Sequence, residues 1–407
     1  MTQHVLAVNT GSSTTKLGVF DVEGSDARPV LRARLSHGPV DLRIQAWDAE
    51  GVALPAPSPV RSAQEGEAVL DLLTLFEGQL ETPVQAVGHR IVHGGSQFRQ
   101  PMILTQEIAE ALKALAPLAP LHQLPALTLA ATIGKARPDL PQALAFDTAF
   151  HHGHDPVVDR LGLPREFEAQ GLRRFGFHGL SYEYLAGRLR ACDPSVAGGR
   201  VIAAHLGSGA SLCALFGGRS VDTTMGATPL EGLLMGTRCG SIDPGVILYL
   251  LQVQGLDGSQ LSGLLYERSG LFGVSGLSAD MRVLLQSHEA SAREAIELFV
   301  FRVAREAAAL AGTLGGLDAL IFTAGVGENC PEVRAAICQR LAWLGVQLDD
   351  AANRRGDAKI STLGSSVAVW VIPTDEEQMI AIHTREAMVS APPSVAQNGQ
   401  PALETPR

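Results

Sequence analysis

Apolar and polar positions change period along this chain, and the changes mark out its elements. Val5 to Val8 is a short apolar run, Thr10 to Ser13 is polar and turn-like, and Thr15 to Phe20 regains strand character, which predicts a hairpin tipped by Gly and Ser. Almost half the chain later the design recurs. Ala7 to Phe20 can be laid on Ala204 to Phe216, with Gly11 over Gly207, Ser12 over Ser208 and Phe20 over Phe216, so an internal duplication of the fold is expected. Further strand-like runs that lead into glycine turns occur at Ala86 to Gly88, Ala143 to Phe146, Val201 to Leu206, Ala319 to Thr323 and Val367 to Ile372. A helical period is clearest at Ile296, Phe299, Val300, Val303, Ala307 and Leu310, with Arg302 and Glu306 on the polar side. Strands that alternate with helices give an α/β class. The segment from about Ala391 lacks an apolar period, contains four prolines, and is expected to be a disordered tail.

Length and composition narrow the reading. At 407 residues the chain exceeds one typical domain, and 46% hydrophobic against 18% charged residues implies large buried interiors. The net charge is -10 and no basic block is present, which argues against nucleic acid. The five cysteines form no C-x-x-C pair, so a reducing, cytoplasmic setting is expected without disulfides or a zinc ribbon. The start MTQHVLAVNTGSS lacks the positive and apolar regions of a signal peptide. Prolines, His122, Asp318 and glycines interrupt the two most apolar stretches, so neither is expected to span a membrane.

The candidate chemistry sits in the turns. Asn9, Gly11, Ser12, Ser13, Thr14 and Lys16 offer hydroxyls, backbone N–H groups and one cation to a phosphate-sized anion, although no Walker pattern exists. HLGSGAS, His205 to Ser211, sets glycines beside hydroxyls at a strand end, where a missing Cβ allows close approach. FTAGVGENCPEV, Phe322 to Val333, runs from a strand through Gly325 and Gly327 towards a helix that Pro331 opens. Each could be a plain turn, but three of them favour a phosphorylated ligand. Arg90, among apolar residues and glycines, needs an acid or a ligand, and Arg238 stands in a similar turn-rich setting. Asp147 follows a strand, where α/β folds place functional carboxylates. His178 reads either as a packed histidine or as a donor near a reacting group. His151, His152 and His154 are closely spaced, but no second cluster supports zinc. Asp375, Glu376 and Glu377 begin a helical segment, where they either relieve the dipole or offer oxygen ligands to a divalent cation.

Taken together, VNTGSSTTKLGVF, GHRIVHGG, APLH, FDTAFH, RRFGFHG, HLGSGAS, DTTMGATPLEGLLMGTRCGSIDPG, FTAGVGEN and PTDEEQMIA, in this order from Val5 to Thr384, resemble the acetate kinase family. That family lies within the superfamily of acetate and sugar kinases, Hsp70 and actin. The resemblance implies two duplicated ribonuclease H-like (actin-like ATPase) α/β domains with a nucleotide cleft between them. The boundaries expected are 1–150 and 151–375, with a C-terminal helix at about 376–390 completing the first domain and the second domain forming a homodimer. It implies reversible phosphoryl transfer from ATP to acetate, giving acetyl phosphate and ADP, with Mg2+ or Mn2+. By the same resemblance Asp147, His178, Arg238 and Arg90 are catalytic, Arg90, Val92, Leu121, Phe177 and Pro229 bind the acid, and Asn9 and Glu376 hold the metal. Nucleotide contacts are implied for Ser12, Lys16, His205, Leu206, Gly207, Ser208, Gly209, Asp280, Met281, Arg282, Gly325, Val326, Gly327, Glu328 and Asn329. The chain departs from the family pattern at Ser208, where asparagine is common, at Gln123 and Leu124 in place of Asn-Pro, and at Asp375 in place of asparagine. Rival readings are a propionate or other short-chain carboxylate kinase and a non-catalytic nucleotide-binding protein. A hydrolase is hinted at by HGGS, His93 to Ser96, but G-x-S-x-G is missing.

Overall fold

A computed structural model describes residues 3–11, 14–24, 26–37, 41–55, 60–61 and 65–390. Ser12, Ser13 and the tail from Ala391 lie outside the described residues. The first hairpin is β1 (Gln3–Thr10) and β2 (Thr14–Glu23), closed by Gly11 N–H donating to the Thr14 carbonyl at 2.9 Å. It continues antiparallel into β3 (Asp26–His37), β4 (Asp41–Asp48) and the short β5 (Val60–Arg61). On the other side of β1 lie the parallel strands β6 (Ala86–Ile91) and β8 (Gln142–Phe146), with β7 (Met102–Ile103) at the edge, giving the order β5-β4-β3-β2-β1-β6-β8-β7.

The second sheet repeats the plan. Its members are β9 (Arg200–Leu206), β10 (Ala210–Phe216), β11 (Arg219–Thr223), β12 (Ala319–Thr323) and β13 (Ala368–Val371), in the order β11-β10-β9-β12-β13. As in the first sheet, three antiparallel strands are followed outward from the first strand by two parallel ones. The repeat seen in the sequence is therefore a repeat of topology. The second hairpin is one residue tighter, since Thr10 pairs with Thr15 while Leu206 pairs with Ala210, and Gly207 N–H closes it onto the Gly209 carbonyl at 3.0 Å.

Both faces of each sheet are covered, which explains why the central strands read as unbroken apolar runs. Leu6 and Val8 pack under the Glu65–Glu77 and Gln123–Ala136 helices, while Val5 and Ala7 face Met379, Ile380 and Ala381 of the Glu376–Ser390 helix. The last helix among the described residues thus lies on the first sheet. It comes so close at β6 that a Cβ on Gly88 would sit 1.9 Å from Thr384 Oγ1. On the second sheet the long Ala290–Leu314 helix covers one face with Phe299, Val303, Ala307 and Leu310, and the Gly179–Cys192 helix covers the other with Tyr182, Leu185 and Leu189. The 3.6-residue period read from Ile296 onwards belongs to this long helix.

Candidate active site

The strand ends and turns converge between the two sheets. Arg90 on β6 donates hydrogen bonds at two distant chain positions: Nε to Asp147 Oδ1 and Oδ2 at 3.1 and 3.0 Å, Nη2 to Asp147 Oδ2 at 2.6 Å, and Nη1 to Asn9 Oδ1 at 3.0 Å. Glu376 Oε2 lies 3.6 Å from Nη1. Of the acid or ligand that a buried Arg90 needs, the structure supplies an acid, Asp147, one residue past β8. Burial pushes the Asp147 carboxyl upward against the pull of Arg90, while Arg90 is held firmly as a cation by Asp147 and Glu376. Burial also opposes ionisation of Glu376, but Arg90, then His205 and Lys16, outweigh it and bring its pKa to about 2. A buried carboxylate that stays charged marks an electropositive site.

Asn9 bridges two acids. Its Nδ2 donates to Glu376 Oε2 at 2.8 Å and to Glu377 Oε1 at 2.5 Å. Glu377 is buried, its carboxyl is raised by burial and by Glu376, and Lys16 Nζ stands 3.8 Å away. The sequence leaves Glu377 open between relieving the helix dipole and offering oxygen to a cation, and the fold shows that both adjacent glutamates are buried. The carboxylate oxygens of Glu376 and Glu377, with Asn9 Oδ1 beside them, are hard ligands of the kind that suits a cation such as Mg2+. Among the described residues no three His, Cys, Asp or Glu side chains form a metal cluster. A cation here would complete its shell from water and phosphate, as Mg2+ commonly does.

Across from Arg90, His178 opens the Gly179–Cys192 helix from a left-handed conformation, φ 58°. The following residue must be glycine, since a Cβ there would lie 2.0 Å from the Asp147 carbonyl that Gly179 N–H already bonds at 3.0 Å. His178 Nδ1 meets Ser211 Oγ at 2.8 Å, Ser211 meets the Tyr182 hydroxyl at 2.5 Å, and the His178 ring stacks on His205 at 4.1 Å between centroids. Burial, with His205 and the two arginines, keeps His178 neutral, far below the usual imidazole range. His178 Nε2 and Arg238 Nη2 both lie 3.3 Å from where a Cβ on Gly209 would be.

Arg238 is 6% exposed, donates through Nη1 to the Pro229 carbonyl at 2.8 Å, and has no carboxylate partner among the described residues. His122 lies near both arginines, is brought to about 3 by burial and their charge, and its buried Nδ1 has no hydrogen-bond partner. The sequence reading passed over His122, although it ends the quoted APLH segment. Val92 and Phe177 share one apolar cluster, Pro229 is buried beside Arg238, and Leu121 is half-buried just before His122.

The glycine turns differ in what they leave free. Gly207 to Gly209 lies at the β9–β10 tip, with Leu206 buried beneath it and His205 Nδ1 against Ser181 Oγ at 2.9 Å. Gly325 to Asn329 forms a short helix, Ala324–Asn329, that precedes the Pro331–Arg340 helix. Glu328 turns back to accept from Ala324 N–H at 2.8 Å and Thr374 N–H at 3.3 Å, and Asn329 Nδ2 donates to the Gly325 carbonyl at 2.9 Å, while Val326 packs on the core. The buried Arg334 pins this turn through Nη1 to the Gly327 and Glu328 carbonyls at 2.9 and 2.8 Å. Asp280 caps the Met281–Gln286 helix and pairs with Arg282 at 2.6 Å on the surface, whereas Met281 is buried.

A protein-family model for the acetokinase family matches residues 4–382. The acetate kinase of Rhodopseudomonas palustris is 46% identical over 396 residues, spanning 94% of this chain and 98% of that protein. That of Rhizobium meliloti is 46% identical over 398 residues, spanning 95% and 99%. Among solved structures, a propionate kinase from Francisella tularensis superposes with a TM-score of 0.85 at 31% identity, covering 94% of this chain and 99% of its own. Porphyromonas gingivalis acetate kinase superposes with a TM-score of 0.82 at 32% identity, covering 95% and 100%. With matches that run nearly end to end in sequence and in fold, the chain belongs to the acetokinase family.

Proposed function

We infer that this chain transfers the γ-phosphoryl group of ATP to the carboxylate of acetate, reversibly, giving acetyl phosphate and ADP. The observation that carries the reading is Arg238, a buried guanidinium bonded to one carbonyl, facing the site where Arg90 is held by Asp147. A cation kept dry without an acid is a site prepared for an anion.

Acetate is already ionised near pH 7, since such carboxyls have pKa values near about 4. One of its oxygens attacks the γ-phosphorus directly. The new O–P bond forms as the bond to the β–γ bridging oxygen breaks, that electron pair leaves with ADP, and no proton moves. Catalysis is then mainly the cancelling of charge between two anions. Arg238 and Arg90 take the carboxylate and the transferring phosphoryl. Asp147, whose two oxygens are occupied by Arg90, acts by orienting that arginine rather than as acid or base. We assign the Tyr182 phenol, kept protonated by burial, as the donor to Ser211, and Ser211 as the donor to His178 Nδ1. That order leaves the imidazole proton on Nε2, beside Arg238, as a donor to the phosphoryl oxygens. Glu376, aligned by Asn9, and the neighbouring carboxylates would hold Mg2+, which when bound supplies further neutralisation of phosphate charge. Val92, Leu121, Phe177 and Pro229 take the methyl group, while Lys16, His205 to Gly209, Asp280 to Arg282 and Gly325 to Asn329 take the nucleotide.

The wider reading is a cytoplasmic homodimer with domains at 1–150 and 151–375, the first completed by the last helix. The Pro244–Gln252 helix supports the dimer, because Val246, Leu248, Tyr249 and Leu251 are all exposed on it. Sedimentation tests it: a monomer at all concentrations would refute it. A second reading, propionate as the preferred acid, is favoured by the likeness to the Francisella tularensis propionate kinase. Trapping acyl phosphate as hydroxamate, with acetate, propionate and butyrate and with ADP measured in parallel, tests both. Equal amounts of hydroxamate and ADP are expected; ADP release that does not depend on any acid would sink the kinase reading.

A further inference from the structure

Behind the acid-binding residues is a polar pair that the reaction itself does not use. Gln123 is fully buried at the start of the Gln123–Ala136 helix. Its Oε1 accepts from the His93 backbone N–H at 3.2 Å, and its Nε2 donates to the His93 carbonyl at 3.0 Å and to the Leu112 carbonyl at 3.2 Å. One side-chain amide therefore pairs with both backbone groups of a single residue, as a neighbouring strand would. His93 in turn reaches across to the second half of the chain. Its Nδ1 accepts from Gly95 N–H at 2.9 Å, which leaves the proton on Nε2 to be donated to the Ala227 carbonyl at 3.2 Å. Its ring lies edge-on to Phe175 at 4.6 Å and to Phe177 at 5.4 Å.

The pair touches or adjoins every wall of the acid pocket. Val92 precedes His93, Leu121 is two residues before Gln123, Pro229 is two residues after Ala227, and Phe177 is in ring contact with His93. Resting on the acyl-kinase reading above, we propose that Gln123 and His93 are positioning residues that set the width of the acyl pocket, and with it the length of acid accepted. The Gln123 side chain fixes the gap between the start of its helix, which directly follows Leu121 and His122, and the segment that carries Val92. His93 fixes the gap between that segment and the walls formed by Phe177 and Pro229. Burial holds His93 neutral, with a pKa of about 4, so Nδ1 keeps its lone pair for Gly95 N–H, beside the Nε2–H link to Ala227, throughout the neutral range.

Gln123→Asn and Gln123→Ala, with kcat and KM measured for acetate, propionate, butyrate and ATP, test this. Asparagine keeps the amide but is one methylene shorter, so its bonds draw Leu121 towards Val92. The propionate-to-acetate ratio of kcat/KM is expected to fall by about fivefold or more, within the range one methylene of pocket space is worth, through the KM for the acid. Alanine removes the strut and is expected to raise that ratio. A role in folding alone would lower thermal stability and the active fraction but leave the ratio unmoved. The inference is overturned if the ratio in Gln123→Asn stays within about twofold of wild type, or if the KM for ATP shifts as far as that for the acid. Should Gln123→Ala not fold, the asparagine variant carries the test by itself. An unchanged ratio in an active enzyme refutes only this inference, whereas wild-type protein that forms no acyl phosphate with any acid refutes the kinase reading and this one together.

Discussion

Replacing Arg238 by methionine should separate stability from turnover, because the two respond to the buried charge with opposite signs. Burial, only partly offset by Tyr266 and reinforced by Arg90, brings the Arg238 pKa from 12.5 to about 10. At about 1.4 kcal/mol per pH unit, keeping this cation in the ligand-free protein costs about 3 kcal/mol at neutral pH, where it is charged both folded and unfolded. Methionine fills much of the same volume and removes that cost. What is lost is the charged hydrogen bond to the Pro229 carbonyl, about 1.5–3 kcal/mol. The variant should therefore be about 0–2 kcal/mol more stable than wild type, in line with the gains seen when buried charges give way to apolar groups. Turnover should instead fall by about 100- to 1000-fold, the usual cost of one preorganised donor at a developing charge.

Urea unfolding of the ligand-free proteins gives the first quantity and the hydroxamate assay the second. A further signature is linkage: acetyl phosphate at about 100 times its Kd should add about 2.7 kcal/mol to wild type and much less to Arg238→Met. A variant more than about 2 kcal/mol less stable than wild type would show that Arg238 serves packing, and activity within about fivefold of wild type would remove it from the reaction.

Two further outcomes follow from the same site. Glu377→Gln should be more stable than wild type at pH 7, because burial raises the folded-state pKa above 4.5 and the charged form is the disfavoured one. The advantage should vanish as pH falls below 4.5, where the wild-type carboxyl is protonated in both states; urea midpoints at pH 7 and 4 measure it, and an advantage that grows on acidification would refute the assignment. Arg334→Leu should raise the KM for ATP while leaving that for acetate nearly unchanged, since it frees the carbonyls of Gly327 and Glu328 at about 1–3 kcal/mol each. Equal effects on both substrates would mean that Arg334 supports the whole fold and not one turn.

Much of the fold was legible because it rests on local signals. The two hairpins announce themselves by apolar run, glycine turn and apolar run, and the long helix by its period. The strands β3 and β4 are not among the runs picked out by apolar stretch and glycine turn, although VLRARLSH and DLRIQAWD alternate apolar and polar residues as a half-buried strand does. In the site, Arg90 and Asp147 could be picked out because a guanidinium among apolar residues needs an acid, and a strand end is where one is expected. That they are each other's partner needed the parallel register of β6 and β8. The contacts of Glu377, His122, Gln123 and Arg334 were not legible for a shared reason, although Gln123 stands out as a departure from the family pattern and Glu377 as one of three acids offered either to the helix dipole or to a cation. Their importance lies in being buried and in what they touch from distant parts of the chain, and neither spacing nor residue type reports that. Ala324, at φ 64°, is a further case, since only the turn it occupies explains a left-handed alanine there.

The placement of the last helix has a consequence for the order of events during synthesis. Val5, Ala7, Phe20 and Ala145 belong to strands made early, yet the Met379, Ile380 and Ala381 side chains that cover them come more than 230 residues after Ala145. At about 5–20 residues per second, on the order of ten to fifty seconds of translation separate the completion of β8 from the arrival of its cover. The first sheet must wait through that interval with one apolar face open. It can close only after the other half of the molecule has emerged, so the amino-terminal half is the part most dependent on chaperones and most exposed to proteases in a truncated chain.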